Sequence, residues 1–218
     1  MAASVERPQT IQTMIDGVER YNPDNAVVLE EYLAEQCKNG EYDLTANLAL
    51  LKLYQLNPQL SKVHVIVNIL AQSLTAIPKP DYNLCMYLLT DYVEVDEVKR
   101  LTHLQQLLEQ SRYAEFWKTL ENDKALIKDI VGFEDTIRQV IALVVSMSYQ
   151  TIATSVLESY FALTGDAFKQ FCEKHQWQLN GNTVSIPINE DNEAKTVVVR
   201  ENIKFEQLTK VIGYSNEM

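Results

Sequence analysis

The sequence predicts a mostly α-helical protein that closes on a small antiparallel sheet, and three observations carry that expectation. Helix breakers are scarce, with six Gly and six Pro in 218 residues. Apolar residues recur at helical spacing through most of the chain, from Ile11 onward. The period then shortens to two between Trp177 and Ile188, around the dipeptide Asn180-Gly181, a strong short hairpin signal.

In the first half, Pro8 suits the first position of a helix lined by Ile11, Met14 and Ile15. Asn22-Pro23 opens a second helix in the same way. Val27, Val28, Tyr32 and the pair Leu29/Leu33 are expected to line it, and Asn39-Gly40 to end it. Asp43 to Leu56 carries Leu44, Leu48, Leu51 and Tyr54 and stops at Asn57-Pro58. Leu60 to Leu74 is apolar on nearly every side, which predicts a central helix. Pro78-Lys79-Pro80 is the sharpest break, followed by helices over Tyr82 to Tyr92, Val95 to Glu109 and Arg112 to Leu120. These fall into successive pairs of about 35 residues, the scale of a HEAT- or TPR-like α-solenoid repeat, although the pairs share no strict sequence signature. Residues 1–131 are read as this helical-repeat domain.

The second half reads differently. Phe133, Ile137, Val140, Ile141, Val144 and Val145 form one stripe on a helix that follows the boundary at Asp129 to Gly132. A second helix is expected from Thr151, with Ile152, Val156, Leu157, Tyr160 and Phe161 on one face. Thr164 can cap a third helix carrying Phe168, Phe171, Cys172 and His175. A two-residue loop at Asn180-Gly181 would set Leu179 opposite Asn182 and Trp177 opposite Val184, with Trp177, Leu179, Val184, Ile186 and Ile188 on one face. Thr196 to Arg200 is expected as a third strand. Three helices followed by a β-wing is winged-helix order, read over 132–203. With no long linker, the two halves are expected to dock rigidly, with the helix from Phe133 packed between them. The tail, 204–218, presents Phe205, Leu208, Val211 and Ile212 along about three turns, too short for a stable isolated helix. It must pack on its own domain or on a partner.

Several function classes are disfavoured. The net charge is −11, a poor start for tracking phosphates. Cys37, Cys85 and Cys172 are dispersed and odd in number, as expected of buried reduced thiols. No apolar run is long enough to cross a bilayer, and MAASVERPQT lacks the features of a secretory signal. Cys172 and His175 could offer two ligands, but two do not make a zinc site. No nucleophile elbow, P-loop or dinucleotide fingerprint occurs, so neither catalytic residues nor a cofactor are expected. The third helix sets Lys169 and Lys174 against Asp166 and Glu173, and the loop Asn189 to Glu193, read as the wing tip, is acidic apart from Lys195 beside it. A winged-helix binder of RNA or DNA using Lys169, Lys174 and Arg200 is the alternative reading. Protein contact is preferred. Val197, Val198 and Val199 cannot all face one core, because strand side chains alternate, so Val198 and the tail are expected to meet a partner.

The segments LLEQSRYAEFWKTLE (Leu107 to Glu121), SYQTIATSVLESYF (Ser148 to Phe161) and FCEKHQWQLNGNTVSIP (Phe171 to Pro187) give the chain a specific likeness. It resembles the PCI proteins, scaffold subunits of the proteasome lid, the COP9 signalosome and the eukaryotic translation initiation factor three complex, most of all the last. The likeness spans the whole chain. It implies a non-catalytic cytoplasmic role, with nuclear presence left open, in an assembly on the small ribosomal subunit. The implied partners are sister subunits, subunit l first. The implied docking surfaces are the wing strands, with Val198 and Arg200, and a C-terminal bundle helix bearing Phe205, Leu208, Val211 and Ile212.

Overall fold

Local sequence decides where each helix starts and stops. A computed structural model describes residues 7–194 and 205–216. Helix α1 (Gln9–Asp16) follows Pro8, and α2 (Ala26–Asn39) follows a 3-10 turn over Pro23–Asn25 in which the Asn22 side chain accepts from the Asp24 N–H. Gly40 ends α2 at φ +67°, a left-handed position a β-carbon would strain. Asp43 caps α3 (Leu44–Leu56) by accepting from the N–H groups of Thr45 and Ala46. Then come α4 (Val63–Leu74), α5 (Asp81–Leu88), α6 (Asp96–Glu109) and α7 (Tyr113–Asn122).

Helix α4 is central, as its composition predicts. Every residue from Val65 to Leu74 except Asn68 is buried, and α2, α3, α5 and α6 all pack on it. Helix α2 buries Leu29, Tyr32, Leu33, Gln36 and Cys37, one helical stripe, but Val27 and Val28 point to solvent rather than lining it. A polar network crosses this core. Gln36 Nε2 donates to Asn47 Oδ1 (3.2 Å) and Gln36 Oε1 accepts from the Asp43 N–H (2.8 Å). Gln72 Nε2 donates to the Glu41 carbonyl (3.1 Å). Being mutually bonded, these groups fix how α2, α3 and α4 sit instead of penalising the core.

The second half runs α8 (Phe133–Ser148), β1 (Thr151–Ala153), α9 (Thr154–Phe161), α10 (Gly165–Lys174), β2 (Gln178–Asn180) and β3 (Thr183–Ser185), with α11 (Phe205–Asn216) beyond. The antiparallel sheet has the order β1-β3-β2. Strand β1 corrects the expectation of a helix beginning at Thr151. Ile152 faces inward between exposed Thr151 and Ala153, and β3 offers the backbone partners a helix start would have lacked. The third strand is therefore β1. Thr196 to Arg200 lies outside the described residues.

The hairpin register also differs. Leu179 pairs with Val184 and Asn180 with Thr183, so the turn residues are Gly181 and Asn182. Gly181 has φ +63° and Asn182 does not share it, the φ pattern of a type II′ turn. The expected register was off by two residues, and a shift of two keeps every side chain on its face. Trp177, Val184 and Ile186 are accordingly buried. Ile188 is not: the strand ends at Ser185, and Ile188 is 69% exposed.

The two halves meet chiefly through α7 and α9, not through α8 alone. Ala162 ends α9 in the left-handed region, leaving carbonyls that need donors. Trp117 Nε1 donates to the Tyr160 carbonyl (2.7 Å) and Arg138 Nε to the Phe161 carbonyl (3.1 Å). The Arg138 guanidinium also lies 4.9 Å from the centre of the Trp117 ring. The connecting segment is tied back as well, with the Val131 N–H donating to the Cys37 carbonyl (2.9 Å).

Candidate docking surface

Helix α10 would be the reading helix of a nucleic-acid-binding winged helix. Phe168 and Cys172 pack it inward, and its outer face carries Asp166, Lys169, Glu173 and Lys174. Lys169 pairs with Asp166 at 3.1 Å, and Lys174 is exposed beside Glu173. The face is electrically balanced. Thr164 occupies the N-cap position, but its side chain makes no capping bond.

Among its described residues, 177–194, the wing carries no Lys or Arg. Its turn is the neutral pair Gly181-Asn182, and it is pinned: the Thr154 N–H donates to the Asn182 carbonyl (2.9 Å). The acidic loop expected at the wing tip does something else. Asn189 Nδ2 donates to the Ser146 carbonyl (2.9 Å), and Asn192 Nδ2 donates to the carbonyls of Ser146 (3.0 Å) and Tyr149 (3.2 Å). These side chains satisfy carbonyls left free where α8 ends.

Behind the sheet, His175 sits between Phe171 and Trp177, with ring centroids 4.6 and 5.4 Å away. Its Nε2 is buried without a hydrogen-bond partner, and burial, helped by Lys174, lowers its pKa. No group of three potential metal ligands exists among the described residues. Burial pushes the thiols of Cys37 and Cys172 up to about 11 and that of Cys85 to about 12, far from reactive thiolates.

The module also exposes apolar side chains. Among the described residues strand β2 pairs only with β3, and Leu179 on it is 39% exposed. Leu143 and Met147 face out from α8. On α11, Leu208 is 44% and Ile212 56% exposed, with Tyr214 exposed beyond them. Val198 and Arg200 lie outside the described residues, as do the side chains of Phe205 and Val211, although both of the latter are placed within α11. The structure thus brings Leu208 and Ile212 onto one accessible helix face. Leu179, Leu143 and Met147 were missed as exposed apolar positions. For the last two, the signal was present as a second apolar row at i, i+4 outside the main stripe of α8.

A helical array continued into a winged helix whose α10 face balances its charges, and whose α8, β2 and α11 expose apolar side chains, fits a class of protein-binding subunits. The model of the CSN8/PSMD8/EIF3K family matches residues 60–198, and this chain belongs to that family. Among curated relatives it is similar to Eukaryotic translation initiation factor 3 subunit K of Sclerotinia sclerotiorum, 40% identical across 97% of this chain and 95% of that protein. The protein of the same name from Neurospora crassa is 42% identical across 97% and 96%. That from Aspergillus terreus is 36% identical across 94% and 93%. The resemblance read from the sequence is borne out.

Proposed function

We propose that this chain is a non-catalytic scaffold subunit of a eukaryotic translation initiation factor 3 complex, working in the cytoplasm on the small ribosomal subunit. The reading is supported by near full-length similarity to proteins named as subunit K of that factor. The observation that carries it is the exposed apolar face of α11, where Leu208 and Ile212 bury little in the lone chain. Helix α11 enters a bundle with helices of sister subunits, subunit l first, while the β2 edge and the segment with Val198 and Arg200 add a second contact. Residues 1–131, 132–203 and 204–218 act as helical array, winged helix and assembly tail. The ribosome is reached through the complex, not through Lys169 or Lys174.

The test is co-purification of tagged Leu208→Asp/Ile212→Asp with the other subunits. Recovery should fall at least about tenfold against the parent chain, equivalent to about 1.4 kcal/mol. Unchanged recovery would show that the tail is not the assembly element. Tight binding of RNA by the isolated chain, with a steep salt dependence, would instead favour the nucleic-acid reading.

A further inference from the structure

A second surface, at the opposite end of the sequence, has its own logic. Residues 18–28 fold into one tight corner between α1 and α2. Asn25 Nδ2 donates to the Glu19 carbonyl (2.9 Å), and both Asn22 and Asn25 donate to Glu19 Oε2 (3.2 Å each). This corner leaves four large apolar side chains in solvent: Val18 at 84%, Val27 at 55%, Tyr21 at 53% and Val28 at 39%. Four exposed apolar side chains within eleven consecutive residues are a cluster, not the singly scattered exposure that needs no explanation.

The corner borders a groove of about 400 Å³ lined by Gln9, Thr10, Thr13, Met14, Glu19 and Asn25. Its rim is acidic. Asp16, Glu19, Asp24, Glu31 and Glu35 are exposed along this stretch, where Arg20 is the one cation between Asp16 and Glu35 and lies over the Tyr21 ring at 5.3 Å; nearby, Arg7 is taken up by Asp43 and Gln12 and Lys62 by Glu30. Apolar contacts enclosed by one sign of charge select a partner of the opposite sign.

We propose that this corner docks a basic amphipathic helix of another protein, its apolar side chains against Val18, Tyr21 and Val27 and its Lys or Arg residues facing Asp16, Asp24 and Glu31. An apolar stripe laid into a groove and flanked by charge is a recurrent way of holding a helix. A nucleic-acid strand would be repelled here, and an acidic helix likewise. The site is independent of α11 and of the sheet edge, so it stands whether or not the tail assembles as proposed above.

The experiment uses the full chain and two labelled synthetic helical peptides of the same Leu pattern, one with Lys and one with Glu at the polar positions. Each is titrated at about 0.05 and 0.15 M salt, and hydrogen exchange maps the complex. The Lys peptide should bind more tightly at the lower salt and protect residues 9–31, while the Glu peptide should not bind. Val18→Ser/Val27→Ser and Asp24→Lys/Glu31→Lys, all at exposed positions, should each weaken binding about tenfold. Protection appearing elsewhere, equal binding of the Glu peptide, or affinity untouched by both pairs of substitutions would overturn the proposal.

Discussion

Helices α4 and α11 are both twelve residues long, and both carry more apolar side chains than a solvated helix needs. Their fates are opposite. Helix α4 is enclosed by four neighbours and buries Ile66, Ile69, Leu70 and Leu74 completely, whereas α11 presents Leu208, Ile212 and Tyr214 to water. Helices this short hold together through the face they pack, not through intrinsic propensity. The first is satisfied within the chain. The second leaves Leu208 and Ile212 uncovered, and that is the face proposed above to be covered by a sister subunit.

That contrast can be broken at several points. Trp177 is buried among Phe161, Phe171 and His175, so Trp177→Ala should cost about 3–5 kcal/mol in chemical denaturation. Because it lies in the smaller half, the loss should appear first as lost exchange protection in β2 and β3. Leu70→Ala in α4 should cost about 2–5 kcal/mol. If Leu70→Ala proved as mild as a surface change, α4 would not be the centre of the array.

A smaller effect is expected at Asp43. Burial alone would raise its carboxyl pKa, but the Arg7 guanidinium, at 2.6 and 2.7 Å, and the N–H of Ala46 outweigh burial and hold it below the usual carboxylate range. A carboxyl depressed in the folded state gives stability that is present above its unfolded pKa and lost as pH falls through the folded one. Asp43→Ala should therefore cost about 0.5–2 kcal/mol at neutral pH through the lost cap. It should also flatten the fall in stability on acidification, measured as unfolding midpoint against pH.

Much of this was legible from the residues. Asn39-Gly40, Asp43 and Asn57-Pro58 punctuate the helices because capping and left-handed geometry are local chemistry. The all-round apolarity of Leu60 to Leu74 announced a buried helix. Strand β1 was not legible: its three residues continue a helical pattern into α9, and only pairing with β3, some thirty residues on, makes them a strand. The turn at Gly181-Asn182 was misplaced because Gly181 has an Asn on each side and can be the second residue of a type I′ turn or the first of a type II′ turn, and the choice depends on the flanking register. Nothing in the sequence singles out Gln36, Asn47 and Gln72, since their value lies in one another. At the candidate docking surface, the tail was visible because its apolar residues recur at helical spacing on a segment too short to stand alone. The exposed Leu179 and the solvent-facing Val27 and Val28 depend on where packing stops, which no single segment encodes.

The most direct measurement pairs stability with assembly in one variant, Leu208→Asp/Ile212→Asp. Chemical denaturation of the purified chain should stay within about 0.5 kcal/mol of the parent, as for exposed positions, while co-purification with sister subunits collapses. A chain that loses 2 kcal/mol or more yet still enters the complex in full would mean that α11 serves its own fold and not its partners.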